Sequence, residues 1–392
     1  MRLLLLSSEF PPGPGGIGTH AHQLASQLQD RGWTVSVVCS QDYAPSEQIE
    51  AFNARQPFQV TRLPPVAIPL LKGASRLRVM ASRLQSLGPH VLVASGQRAV
   101  WLGAILARQH HVPLVGIGHG SEFGARPRWA RRATRWAFEQ ATAVVCVSRY
   151  TQRLMTAAGI RAARAAVIPN GADHTRFGVL PEGDVTAFRR SLGINGDRIL
   201  LSVGNVSFRK GQDTVIRALP QVLEQVPTAR YLVVGLPTER PAFSALAERL
   251  GVADRVAFVG AVEQTSLVRY LNACDVFVMT SRRTSDGDVE GYGIAVVEAA
   301  LCGKPAVVSA GSGLSEAIED GRTGLAVPED DPAAAATAIV SLLQDDARRT
   351  RMGELARTRA AREQTWEDVG AQYDLLLRSI VGNDAAIVSV GR

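Results

Sequence analysis

At 392 residues, 46% hydrophobic and 20% charged, the chain is a folded globular protein, too long for one ordinary core and about right for two domains. Its apolar runs are strand-sized, short of the roughly 18 to 20 residues needed to cross a bilayer, which excludes a spanning helix. The net charge of +7 is uneven: residues 1–175 hold 19 Lys and Arg against 8 Asp and Glu, and residues 176–392 hold 24 against 28. No acid stands between Ala51 and Ser121. A cationic first half implies an anionic partner there, whether a membrane surface, a nucleic acid or a charged substrate; the plain alternative is arginine decorating solvated helices.

The opening Met1-Arg2-Leu3-Leu4-Leu5-Leu6 is shorter than the roughly 7 to 15 apolar residues of a signal peptide, so it reads as a first strand and the expectation is a cytoplasmic protein. Short β-type runs then alternate with helical spacing, the signature of βαβ units and parallel sheets, and the fold class is α/β. Strands are predicted at 2–7, 34–39, 91–94, 114–118 and 143–147, with helices near 19–30, 74–87, 99–109, 128–140 and 150–158. The second half repeats the scheme, with strands at 199–203, 231–234, 256–259, 276–279, 306–308 and 324–327 and helices near 214–225, 243–250, 266–273 and 296–301. Turn chemistry from Ile168 to Gly183 marks a linker, giving domains of 1–175 and 176–364. The segment from Thr365 has helical spacing at Trp366, Val369, Tyr373 and Leu376 and is expected to fold back on the first domain. Two doubly wound domains would face a central cleft across the carboxyl ends of their strands, where ligand chemistry is sought.

Cys39, Cys146, Cys274 and Cys302 show no CxxC pair and no His at metal-ligand spacing, so they read as small buried hydrophobes. Asp286-Gly287-Asp288 is formally a DxD, the metal-holding sequence of some glycosyltransferases, but in this late Ser/Arg-rich loop no metal site is assigned to it.

Four stretches carry chemistry. Gly13, Gly15 and Gly18 spell GxGxxG, which admits a dinucleotide site with Asp42 as the ribose acid. The intervening Ser8-Glu9-Phe10-Pro11-Pro12 and Pro14 instead suit a longer loop that brings Gly15 and Gly16 to a helix N-terminus, where backbone N–H groups and the helix dipole meet a phosphate or sugar. In Gly204-Asn205-Val206-Ser207-Phe208-Arg209-Lys210-Gly211, one of only three lysines sits in a strand-to-helix loop; its compact ammonium suits a diphosphate, and Arg209 adds a forked contact. Glu290 and Glu298 flank Gly293-Ile294: the first lies in a loop and the second within an apolar helix, where a carboxylate needs a partner, so each is expected to accept from hydroxyl groups of one ligand. His119, directly after a strand, is placed at that strand's carboxyl end.

Together with Ser148-Arg149-Tyr150-Thr151, Ile168-Pro169-Asn170-Gly171-Ala172-Asp173, and Gly303-Lys304-Pro305 through Gly321-Arg322-Thr323-Gly324, these motifs occur in the order seen in retaining GT-B glycosyltransferases. The resemblance spans nearly the whole chain and is to the family 4-like group that includes sucrose and glycogen-type synthases. Asp288-Val289-Glu290-Gly291-Tyr292-Gly293-Ile294 is most similar to the bacterial phosphatidylinositol mannosyltransferase branch. The resemblance implies Gly16 against the donor phosphate, Arg209 and Lys210 at the diphosphate, Glu290 on sugar hydroxyls, Glu298 on the ribose, the backbone of Gly293-Ile294 on the phosphates and His119 beside the reacting carbon. The family usually has Arg directly after the glycine of the second loop, where this chain has Asn205.

The same resemblance implies a metal-independent, cofactor-free hexosyltransferase, mannose favoured, that uses a GDP- or UDP-sugar and a front-face substitution with retention. For the acceptor, a lipid-linked, glycan or small-molecule hydroxyl is expected, with peripheral contact to an anionic membrane and no nucleic acid. Around 71–87, Leu77, Met80, Ala81, Leu84 and Leu87 share helical spacing, with Lys72, Arg76 and Arg83 elsewhere around the helix. In 128–135, Arg128, Arg131, Arg132 and Arg135 share one face, and Trp129, Ala133 and Trp136 another. Both helices could rest on anionic lipid or pack on the core with solvated outer faces. The rival readings are an NAD(P)-dependent oxidoreductase, a same-fold nucleotide-sugar epimerase, a phosphorylase, for which neither Lys72 nor Lys304 suggests the cofactor lysine, and a noncatalytic nucleotide binder.

Overall fold

In the computed structural model, residues 1–13, 15–40, 44–63, 69–124 and 127–390 are described; Pro14 and Asp42, invoked above for the first loop, lie outside them. The chain forms two compact units, one of Met1–Asn170 with Trp366–Arg392 and one of Gly171–Thr365.

The first unit runs β1 (Arg2–Ser7), α1 (Gly16–Asp30), β2 (Thr34–Cys39), α2 (Ser46–Ala54), β3 (Gln59–Arg62), α3 (Pro69–Leu87), β4 (Val91–Ser95), α4 (Gln97–His110), β5 (Leu114–Gly118), α5 (Arg128–Glu139), β6 (Ala143–Cys146), α6 (Arg149–Ala157) and β7 (Ala165–Val167). Its seven parallel strands lie in the order β3-β2-β1-β4-β5-β6-β7. Leu3 to Leu6 and Val91 to Ala94 are fully buried, because helices cover both faces of a parallel sheet and its central strands read as unbroken apolar runs. That is why these strands are legible in the sequence. The edge strands β3 and β7 are not, since Gln59-Val60-Thr61-Arg62 and Ala165-Ala166-Val167 are only partly covered and carry no such run.

The second unit continues with α7 (Glu182–Ser191), β8 (Arg198–Val203), α8 (Gln212–Gln225), β9 (Ala229–Val234), α9 (Arg240–Arg249), β10 (Val256–Gly260), α10 (Gln264–Ala273), β11 (Val276–Met279), α11 (Ile294–Leu301), β12 (Ala306–Ser309), α12 (Leu314–Ala317), β13 (Gly324–Val327), α13 (Pro332–Leu343) and α14 (Asp346–Glu363). Its six parallel strands are ordered β10-β9-β8-β11-β12-β13, again a double winding with the reversal beside β8. After Thr365, α15 (Trp366–Val390) rejoins the first unit against α1, where Trp33 Nε1 donates to Asp374 at 2.6 Å.

Four details correct the sequence reading. The stretch assigned to a linker up to Gly183 already contains the start of α7, for Glu182 and Asp184 in its first turn favour the positive end of the helix. Helix α1 begins at Gly16, three residues before the expected Thr19, because Gly15 adopts a φ of +149° and leaves the glycines as the helix entrance. On α3, Arg76 is buried and not on the outer face. On α5, Trp129 and Trp136 stand exposed together with the arginines; Ala130, Thr134, Ala137 and Phe138 form the buried face. All four cysteines are buried, and burial pushes each thiol up to about 12.

Candidate functional site

In the second unit, the loop from β8 to α8 is threaded against the end of β11. Gly211 has a φ of +70°, and a Cβ there would overlap the Thr280 carbonyl oxygen, while Thr280 Oγ1 donates to the Gly211 carbonyl at 2.8 Å. This close approach fixes the two cations that precede it. Lys210 Nζ lies 2.6 Å and Arg209 Nη1 2.7 Å from the same oxygen, Glu290 Oε2, and Arg209 Nε reaches Asp288 Oδ2 at 3.1 Å. Burial would raise the Glu290 carboxyl, but Lys210 and Arg209 overcome it and hold it down to about 2. Burial also lowers Lys210, an effect that Glu290 opposes. The structure thus joins three residues predicted separately, two as diphosphate ligands and one as a sugar ligand. Asp288 of the formal DxD is committed to Arg209. Asn205 is exposed, and among the described residues only its carbonyl is tied, to Gln212 Nε2 at 3.0 Å.

The loop carrying Glu290 turns into α11 at Gly293, whose φ of +94° only glycine adopts without strain and whose Cβ would overlap Leu314. Behind it, a Cβ on Gly313 would overlap the Gly291 carbonyl, and Gly313 N donates to the Glu290 carbonyl at 3.2 Å. Backbone packing thereby sets the position of Glu290 and leaves the first N–H groups of α11, from Ile294 on, without a side-chain cap. Glu298 follows within α11, half-buried, its carboxylate with no hydrogen bond or ion pair among the described residues. Burial pushes its carboxyl up to about 7, eased by Arg176 and reinforced by Asp173. A charge so placed lacks the partner that the sequence demanded of it.

In the first unit, His119 follows β5 and is buried, its Nε2 2.8 Å from Ser95 Oγ at the end of β4. Glu122 Oε2 accepts from the His119 and Gly120 N–H groups at 3.0 and 2.9 Å, so the carboxylate organises the turn that carries the imidazole. His20 of α1 meets the His119 ring edge-on at 5.2 Å and contacts Trp366 and Tyr373 of α15. Burial lowers His119 to about 4 and His20 well below its usual range, so both rings are neutral. Gly15 and Gly16 are exposed at the α1 N-terminus; a Cβ on Gly16 would meet nothing, whereas one on Gly15 would overlap the Glu9 carboxylate. Arg62 holds the approach to this loop by donating to the Pro11 carbonyl at 2.5 Å and stacking on Phe10. Sequence reasoning missed Ser95, Glu122, His20, Gly313 and Arg62. Ser95, one residue past a predicted strand end, was the most accessible of them.

The comparisons with known proteins fall on the same two units. Residues 184–359 match the family Glycosyl transferases group 1, and residues 14–176 match Glycosyltransferase Family 4. The chain belongs to this glycosyltransferase family. A GDP-mannose-dependent alpha-(1-6)-phosphatidylinositol monomannoside mannosyltransferase of Mycolicibacterium smegmatis is 32% identical over 391 residues, which cover 96% of this chain and 98% of that protein. The glycogen synthase of Mycobacterium tuberculosis is 29% identical, covering 94% and 92%. Among solved structures, HepE of Anabaena in complex with UDP and glucose superposes with a TM-score of 0.83 at 24% identity, covering 97% of this chain and 100% of that one. Sucrose-phosphate synthase of Thermosynechococcus elongatus gives 0.84 at 23%, covering 98% and 100%. The fold is GT-B, and the enzyme is a hexosyltransferase.

Proposed function

We propose that this glycosyltransferase transfers mannose from GDP-mannose, with retention and without a metal ion, to a hydroxyl of a lipid-linked acceptor at the inner face of the cell membrane. The observation that carries the reading is the pair of cations, Lys210 and Arg209, converging on one oxygen of the buried Glu290 beside the uncapped entrance of α11. Negative charge develops on the diphosphate as the bond from the sugar's anomeric carbon to the phosphate oxygen breaks, and fixed cations and backbone N–H groups stabilise that charge without having to reorganise. Glu290 presets the two cations and offers its carboxylate to sugar hydroxyls; Glu298, without a partner among the described residues, accepts from the ribose. In a front-face displacement the acceptor oxygen bonds the anomeric carbon on the face the phosphate leaves, and the departing phosphate takes the acceptor's proton. His119, in the first unit, is neutral, so what its ring offers a ligand there is a hydrogen bond, not a charge.

The choice of mannose, GDP and a phosphatidylinositol-type acceptor is supported by the relative that is 32% identical, and the membrane location by the cationic first unit. No helix among the described residues is long and apolar enough to cross a membrane. A thermal-shift screen of GDP, UDP, ADP, their sugar conjugates and NAD(P), with and without EDTA, tests the reading. Stabilisation by GDP and GDP-mannose that EDTA leaves intact supports it. A shift with NAD(P) alone overturns it, and loss of the shift in EDTA overturns metal independence. The anomeric configuration of the product, read by NMR, tests retention.

A further inference from the structure

Helix α5 presents an outward face of unusual composition. At 100° per residue, Arg131, Arg135, Arg128 and Arg132 follow one another around the helix, and Trp136 and Trp129 continue the same arc. All six are exposed or half-exposed: Trp129 keeps 66% of its surface in water and Trp136 37%. The helix carries one acid, Glu139, which Arg135 engages at 2.9 Å. The guanidinium groups of Arg128, Arg131 and Arg132 have no hydrogen-bond or ion-pair partner among the described residues. The helix is firmly seated underneath, since Trp101 Nε1 of α4 donates to Thr134 Oγ1 at 3.1 Å and the Trp101 ring props Trp129 at 5.9 Å. Two indoles in water beside unpaired guanidinium groups are a costly surface for a molecule with no partner, and an indole with a polar N–H is best placed at a membrane–water boundary.

We propose that this face of α5 docks on an anionic bilayer, with Trp129 and Trp136 entering the headgroup layer and Arg128, Arg131 and Arg132 meeting lipid phosphates. The proposal rests on the lipid-linked acceptor read above and names the surface that meets the lipid. Charge complementarity selects the occupant, because three unpaired cations with no opposing acid suit a sheet of phosphates. The indoles flank the arginines in a strip and do not interleave with them as base-stacking platforms would, which favours lipid over nucleic acid.

Flotation with vesicles of phosphatidylcholine mixed with phosphatidylglycerol, against phosphatidylcholine alone, tests the proposal. The wild-type chain is expected to float with the anionic vesicles only, to release in high salt, and to show a blue-shifted tryptophan emission when bound. Combined Arg128→Gln, Arg131→Gln and Arg132→Gln should weaken partitioning about a hundredfold, at roughly fivefold for each arginine near the surface. Trp129→Ser with Trp136→Ser should abolish the blue shift. Both variants should keep the wild-type melting temperature and its shift with GDP, which separates lost docking from lost folding. Undiminished flotation in both variants, equal binding to neutral vesicles, or binding to a single-stranded RNA oligomer without vesicle binding would overturn the proposal. Anionic flotation that depends on these residues, in a chain that no nucleoside diphosphate stabilises, would uphold the docking surface and remove the proposed donor chemistry.

Discussion

Lys210 Nζ and Glu290 Oε2 are 2.6 Å apart although 80 residues separate them in the chain. Their pairing explains why a lysine is tolerated with only about 15% of its side chain exposed, since burying an unpaired ammonium is costly. Arg209 shares the same carboxylate oxygen, so removal of either cation leaves Glu290 with one partner. Such an arrangement separates catalytic from structural effects of substitution.

Lys210→Met should lower kcat by about a hundredfold or more, the scale seen when one preorganised charge-stabilising donor is lost. Because Arg209 still answers Glu290, the melting temperature should fall only modestly. Glu290→Leu, by contrast, leaves Lys210 and Arg209 crowded together and should destabilise the second unit clearly. Steady-state turnover and thermal melting of the two variants check this; near-wild-type turnover in Lys210→Met would remove the lysine from leaving-group stabilisation.

Glu298 gives a pH signature. With its carboxyl raised to about 7 by burial, the folded chain holds a proton that the unfolded chain has already released, so Glu298 lowers stability as pH rises from about 4.5 through 7. On the proposed ribose assignment the hydroxyls donate to the ionised form, so GDP affinity should rise over the same interval. Calorimetric titration of GDP between about pH 5.5 and 8.5 should show this rise in the wild-type chain and a flat, weaker profile in Glu298→Gln. An identical profile in the variant would dismiss the ribose assignment.

The imidazole of His119 responds in the opposite sense. Burial lowers it to about 4, so the unfolded chain takes up a proton first as pH falls, and stability is lost from about pH 6.5 downward. His119→Asn should reduce that slope in melting experiments and leave the share that His20, also lowered by burial, contributes. Ser95→Ala leaves a buried ring nitrogen unsatisfied, at a cost of about 1–3 kcal/mol, and should reduce kcat by freeing the ring. The kcat profile of the wild-type chain should show no inflection from this histidine between about pH 5.5 and 8.

Much of the fold and of the cluster of Arg209, Lys210 and Glu290 was legible in the sequence, for reasons visible in particular residues. Buried parallel strands such as Leu3 to Leu6 announce themselves as apolar runs, and Arg209-Lys210-Gly211 and Glu290 stand out because lysine is rare in this chain and carboxylates are costly in apolar surroundings. Ser95, Glu122 and Gly313 stayed hidden because their importance lies in what they touch. Ser95 matters only through a ring 24 residues away, and Gly313 only because a Cβ would strike the Gly291 carbonyl. The outward turn of Trp129 and Trp136 was equally invisible, since helical spacing ranks residues by angle without saying which arc meets the core.

Gly16 offers a clean separation of fold from ligand. A Cβ at this position meets no atom within 4 Å, and its backbone is not in the left-handed region, so Gly16→Ala should fold and melt like the wild-type chain or slightly higher. If a donor phosphate approaches the α1 N-terminus as closely as the resemblance implies, the added methyl group stands in its path, and kcat/KM for GDP-mannose should fall at least about tenfold with the melting temperature unchanged. Gly15→Ala is the contrasting variant, because its Cβ would overlap the Glu9 carboxylate at a φ of +149° and should disturb the loop itself. Wild-type kinetics in Gly16→Ala would take the glycine out of the donor contacts and leave the phosphate to the second unit.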